Sequence, residues 1–96
     1  MRKTVEDARK RQRARYAGES FFVNARIPAE RMDLYCRMDK GAEELLSSAF
    51  QNLGLTMRTY HRIRRIARTI ADIEGSEMIE QHHVAEALQY RMKEQR

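Results

Sequence analysis

Ninety-six residues, of which 42% are hydrophobic and 34% charged, limit the chain to one domain with one core. Only 7% are aromatic, Trp is missing and Pro occurs once, while Met occurs six times; this balance favours helices with Leu, Ile, Met and Ala interiors over sheets. The expected fold is therefore all-α, a small bundle of about five helices with no sheet. A net charge of +5 and a pI near 9.8 suit a polyanionic partner such as nucleotide or nucleic acid. The lone Cys36 excludes an internal disulfide framework and points to a reducing, cytoplasmic setting. Residues 1–16 lack the apolar run of a secretory signal, and nothing approaches the ~20 apolar residues of a membrane span, so no membrane partner is expected.

Residues 3–16 are helical in composition, with Val5, Ala8, Gln12 and Tyr16 on a thin stripe and charge elsewhere. The cluster Arg9, Lys10, Arg11, Arg13 and Arg15 leaves two readings open: a solvated helix whose packing partner lies upstream, or a strip that tracks a phosphodiester backbone. Arg9, Lys10 and Arg13 are the candidate nucleic-acid contacts. Residues 18–26 read as an extended connector in which Phe21, Phe22 and Val23 plug the core, while Asn24 caps or bridges backbone. A short helix over 27–36 opens with Pro28 in the first turn, where its missing N–H costs nothing, and faces Met32 and Tyr35 or Cys36 inward. Asp39 is placed to cap a helix over 40–53, whose apolar side is Leu45, Leu46, Ala49, Phe50 and Leu53.

The segment 56–75, TMRTYHRIRRIARTIADIEG, carries the most information. Met57, Tyr60, Ile63, Ile66, Ala67, Ile70 and Ala71 recur at helical steps and form its apolar arc. Arg58, Arg62, Arg65, Thr69 and Asp72 lie opposite, flanked by His61, Arg64 and Arg68, so the cationic charge is expected to face away from the core. Thr56 is the natural N-cap, which places Arg58 at the second helical position. A cation there opposes the helix dipole by roughly 0.3–1 kcal/mol. Stability alone would choose Asp or Glu. Arg58 either lies back along the surface in water or joins the free N–H groups in an anion site, phosphate being the usual guest. Arg68 and Asp72, four apart, can pair on the helix surface for about 0.2–0.5 kcal/mol. Gly75 stops the helix, residues 76–79 connect, and a last helix over 80–91 carries Val84, Ala87, Leu88 and, at its end, Tyr90 or Arg91.

Several chemistries find no support. The glycines at 18, 41, 54 and 75 are isolated, and no G-x-x-x-x-G-K-[ST] occurs, so the chain alone cannot hydrolyse ATP and no catalytic residue is assigned. His82 and His83 stand about 100° apart on a helix, lacking the i, i+4 spacing with which two histidines clamp one ion, and no metal site is expected. Cys36 has no local His partner and reads as a core thiol.

The segments FFVNARI, LTMRTYHRIRRIARTIADIEG and HHVAEALQYR, in this order, resemble the C-terminal domain of the magnesium-chelatase-like AAA+ ATPases, and within them the ComM/YifB group of competence-related proteins. The likeness runs from about Val5 to Arg91. It implies a small helical lid, residues 18–96, following a basic helix, residues 1–17, that continues from an upstream AAA+ core. It also implies ATP with Mg²⁺ as cofactor of the complete protein, neighbouring subunits in a ring as partners, and DNA as a possible substrate. Arg58 stands where the family carries an arginine resembling sensor 2, which reaches the nucleotide phosphates. Arg62 and Arg65 would line the same cleft or contact the next subunit.

Overall fold

Each helix starts and stops where the sequence supplies the chemistry for it. The computed structural model describes residues 2–94, with side chains from residue 6 to residue 90. Among these are α1 (Arg2–Arg15), α2 (Met32–Tyr35), α3 (Lys40–Asn52), α4 (Met57–Glu74) and α5 (Gln81–Glu94), with 3-10 turns at Asn24–Arg26 and Ala29–Arg31 and no strand. The Asp39 carboxylate accepts the Ala42 N–H at 2.8 Å to open α3, and Thr56 Oγ1 accepts the Thr59 N–H at 3.1 Å to open α4. Gly75 closes α4 at φ 88°. The Ser76 N–H donates to the Ala71 carbonyl and the Gly75 N–H to that of Asp72, the paired bonds of a Schellman end.

Helix α4 is the axis of the molecule, packed against α5, α1 and the 3-10 turn at Asn24–Arg26, while α3 packs on α5. Ile63, Ala67 and Ala71 of α4 meet Val84 and Ala87 of α5 in a core completed by Ala42 and Leu46 of α3 and by Ile27, Met32 and Cys36. Tyr16, Phe21 and Tyr35 form an aromatic corner, with Tyr16 centred 4.9 Å from Phe21 and 5.0 Å from Tyr35. One parallel β-bridge, Met38 to Ile79, ties the loop before α3 to the loop before α5.

The structure displaces several expected core residues. Phe21 is buried, but Phe22 is 71% exposed and Val23 also faces out. Neighbours in an extended segment point to opposite sides, so a buried Phe21 sends Phe22 outward. Leu53 lies just past the end of α3 and is exposed, its place in the core being taken by Leu55, and Met57 at the first position of α4 is exposed too. On α1, Ala8 and Tyr16 are buried as the stripe requires; Val5, and Arg91 on α5, lie outside the described side chains.

The larger correction concerns α4. Its buried face is Ile63, Arg64, Ala67, Arg68, Ala71 and Asp72, so two of its arginines and its aspartate point inward rather than into water. The guanidinium groups are held by main-chain carbonyls. Arg64 Nε donates to Cys36 O at 2.9 Å, with NH1 on Asp33 at 3.1 Å. Arg68 donates to Glu77 O at 2.8 Å and Ser76 O at 2.7 Å. Arginine offers five donors in a fixed fork, and buried loops offer carbonyls that need donors. Periodicity cannot see that exchange.

Candidate functional site

Sorting the arginines by place separates those gathered around a buried carboxylate from those that line an open cleft. The first group gathers around Asp72, which is fully buried. Arg15 of α1 grips it with two bonds, NH2 to Oδ1 at 2.7 Å and NH1 to Oδ2 at 2.9 Å. Arg68 adds a contact at 3.0 Å, and Asn24 Nδ2 donates to Oδ2 at 2.8 Å. Asn24, itself buried, also takes a hydrogen bond from the Tyr16 hydroxyl and donates to Thr69 Oγ1 at 3.1 Å. Arg11 donates to the Asp72 carbonyl at 2.7 Å. The Arg68–Asp72 pair thus exists, but inside the protein, not on the helix surface.

Charges settle accordingly. Burial would raise the Asp72 carboxyl, yet hydrogen bonds from Arg15 and Asn24 with the charge of Arg68 outweigh it and hold it below the ordinary carboxylate range. The bond to Asp72 pushes Arg15 up. Burial pulls Arg68 down against the attraction of Asp72, lifts the Tyr16 phenol to about 12 and lifts the Cys36 thiol to about 11. Cys36 is a buried, inert thiol.

The second group faces an open cleft of about 510 Å³ lined by Arg58, Arg62, Arg65, Thr69, Ile66, Ala25 and Tyr90. The structure therefore brings Arg58, Arg62 and Arg65 together, at intervals of about one turn along α4. Arg65 is partly committed, its Nε donating to Ile27 O at 2.8 Å. Arg58 is exposed and has no side-chain hydrogen bond or ion pair among the described residues. It sits in the first helical turn, where main-chain N–H groups lack intrahelical acceptors. Thr69 and Tyr90 were not singled out as cleft residues by the sequence; Tyr90 arrives from α5, and only the packing of α5 on α4 brings it there. A second hollow of about 390 Å³ includes Phe50, Met57, Tyr60 and Arg64, but its guanidinium is already bound to Asp33 and Cys36, which makes it the poorer anion site. On α1, Arg9, Lys10, Arg11 and Arg13 are all exposed, but Arg11 is bonded to the Asp72 carbonyl, and Arg15 is half-buried against the Asp72 carboxylate.

A third cluster lies where α4 hands over to α5. His82 Nε2 is 2.9 Å from both Glu74 oxygens, and His83 Nε2 is 3.2 Å from Oε1. The contact with Glu74 raises His82, and the same contact lowers Glu74. The two rings overlap at 4.0 Å instead of diverging. The cause is the helix start: His83 Nδ1 reaches back to accept the Glu80 N–H at 2.8 Å while the His83 main-chain N–H donates to Glu80 O, a reciprocal cap that draws the ring toward Glu74.

A family model described as "Magnesium chelatase, subunit ChlI C-terminal" matches residues 1–91. Over 69 residues, 72% of this chain, the sequence is 41% identical to the Competence protein ComM of Haemophilus influenzae, 36% to the uncharacterized protein YifB of Salmonella typhimurium and 33% to that of Escherichia coli. The chain spans 14% of the length of each of these relatives. No solved structure matches it significantly.

Proposed function

Because the chain belongs to the magnesium chelatase subunit ChlI C-terminal family, we propose that it acts as the helical lid of a ComM-like AAA+ ATPase, with Arg58 as the residue that senses nucleotide phosphates. The observation that carries this reading is the cleft in which Arg58 stands unpaired beside Arg62 and Arg65, while Arg11, Arg15, Arg64 and Arg68 are engaged by the fold. An unpaired guanidinium at a helix N-terminus is unfavourable for the helix and favourable for a bound anion. ATP with Mg²⁺ would be bound mainly by an upstream core of the same polypeptide, with Arg58 adding a contact made on closure and Arg62 and Arg65 completing the basic wall or meeting a neighbouring subunit of a ring. Differential contact with triphosphate and diphosphate states would then shift the lid between open and closed.

DNA is the proposed substrate of the motor, in a cytoplasmic protein. The exposed trio Arg9, Lys10 and Arg13 supports a non-specific phosphate contact, one that weakens steeply with salt. No helix among the described residues is long and apolar enough to cross a membrane. The test is Arg58→Ala in the complete protein. Loss of a charge-assisted contact of order 1.5–3 kcal/mol confined to the closed state lowers steady-state ATP turnover roughly ten- to 150-fold. Turnover at the wild-type level would refute the assignment.

A further inference from the structure

We propose that Glu74, His82 and His83 form a binding site for one divalent cation of the zinc class, clipping the C-terminal end of α4 to the first turn of α5. Among the described residues they are the one group of three such side chains whose ligand atoms all lie within 4.8 Å of one another. A tetrahedral zinc with ligands at about 2.0–2.1 Å needs its donors roughly 3.3 Å apart. The separations of 2.9 Å from His82 and 3.2 Å from His83 to the Glu74 carboxylate fall close to that value, and the two imidazole nitrogens, within 4.8 Å of each other, would settle to it around an ion.

A second observation comes from His83 itself. It is fully buried, and its Nε2 makes no hydrogen bond of good geometry although it lies 3.2 Å from Glu74 Oε1. Buried polar atoms are rarely left so, and an ion between the two would engage that nitrogen. Two imidazoles with one carboxylate select zinc, copper or nickel over magnesium or calcium, which prefer all-oxygen shells. Glu74 and His82 are half exposed, leaving the fourth position open to water.

Binding has a defined internal cost. His83 Nδ1 accepts the Glu80 N–H, so the ring proton is assigned to Nε2. When Nε2 takes the metal, that proton shifts to Nδ1 and the Glu80 N–H loses its acceptor. Two N–H donors would then face each other across 2.8 Å, so ring and amide must part, which lowers the affinity by about five- to 150-fold. Metal binding is thereby coupled to the N-terminus of α5, and the Glu80 amide becomes its reporter.

The experiment titrates Zn²⁺, and Mg²⁺ in parallel, into the 96-residue chain by calorimetry and amide NMR. The expected result is one saturable Zn²⁺ site, a large shift of the Glu80 amide, and a higher melting temperature with Zn²⁺. Glu74→Gln and His82→Ala, both at exposed positions that leave the core intact, weaken binding about tenfold or more, while Glu77→Gln in the same loop leaves it unchanged. Absence of saturable binding below about 1 mM, equal binding in the ligand variants, equal response to Mg²⁺, or zinc binding with the Glu80 amide unmoved would each overturn the three-ligand site.

Discussion

Asp72→Ala removes the acceptor on which three elements converge, so it should be the most damaging single change in the molecule. The carboxylate receives two bonds from Arg15, one from Asn24 and a contact from Arg68, all between 2.7 and 3.0 Å. Truncating it leaves Arg68, a buried cation, with main-chain carbonyls alone, and frees Arg15 and Asn24 together. Breaking one side of a buried pair costs about 3–5 kcal/mol, against a total of about 5–15 kcal/mol for a domain. With a urea dependence near 1.5 kcal/mol per molar, the denaturation midpoint should fall by about 2–3 M. Urea unfolding followed by circular dichroism measures this, and Arg15→Ala with the double variant closes a cycle whose coupling should reach about 1–3 kcal/mol. Additive effects, or a loss below about 1 kcal/mol for Asp72→Ala, would refute the claim that this cluster joins α1 to α4.

The same carboxyl sets a pH dependence. Its folded pKa is depressed, so its contribution is complete above the unfolded value of about 3.9 and is lost as pH falls through the lower folded value; the stability gap between wild type and Asp72→Asn should narrow below about pH 4 in acid titrations of unfolding. Gly75→Ala forces a side chain into the left-handed region at φ 88° and should cost about 1–2 kcal/mol, read as a fall in melting temperature. Arg58→Ala should leave the melting temperature of this chain level or slightly higher, because it removes a cation from a helix N-terminus worth about 0.3–1 kcal/mol; a clear fall would mean that Arg58 supports the fold.

What the sequence revealed and what it withheld divide along the range of the interaction. Caps at Asp39 and Thr56 and the stop at Gly75 depend on residues within a few positions of one another, and all three are found where the pattern put them. The all-α architecture followed from composition and period. The inward turn of Arg64 and Arg68 did not, since it depends on Cys36 O, Ser76 O and Glu77 O, carbonyls whose need for donors appears only once the loops have folded. Asn24 is expected from the sequence to cap or bridge backbone, yet its side chain donates to Thr69 and Asp72, 45 and 48 positions away. The convergence of His82 and His83 on Glu74 likewise required the chain to reverse at Gly75.

An arginine's meaning in this chain therefore rests on what accepts its protons, not on which face of the helix it occupies. Arg58 and Arg68 lie on one helix and are chemically identical, yet Arg68 is buried against two carbonyls and a carboxylate, while Arg58 is exposed and unmatched within the described residues. Replacing Arg68 exposes the fold to unsatisfied loop carbonyls and an under-compensated Asp72, and its loss would appear first as instability. Replacing Arg58 takes nothing from the interior. A loss of activity without a loss of stability is thus the mark that separates a ligand-facing arginine from a structural one, and measuring both quantities on both variants tells them apart.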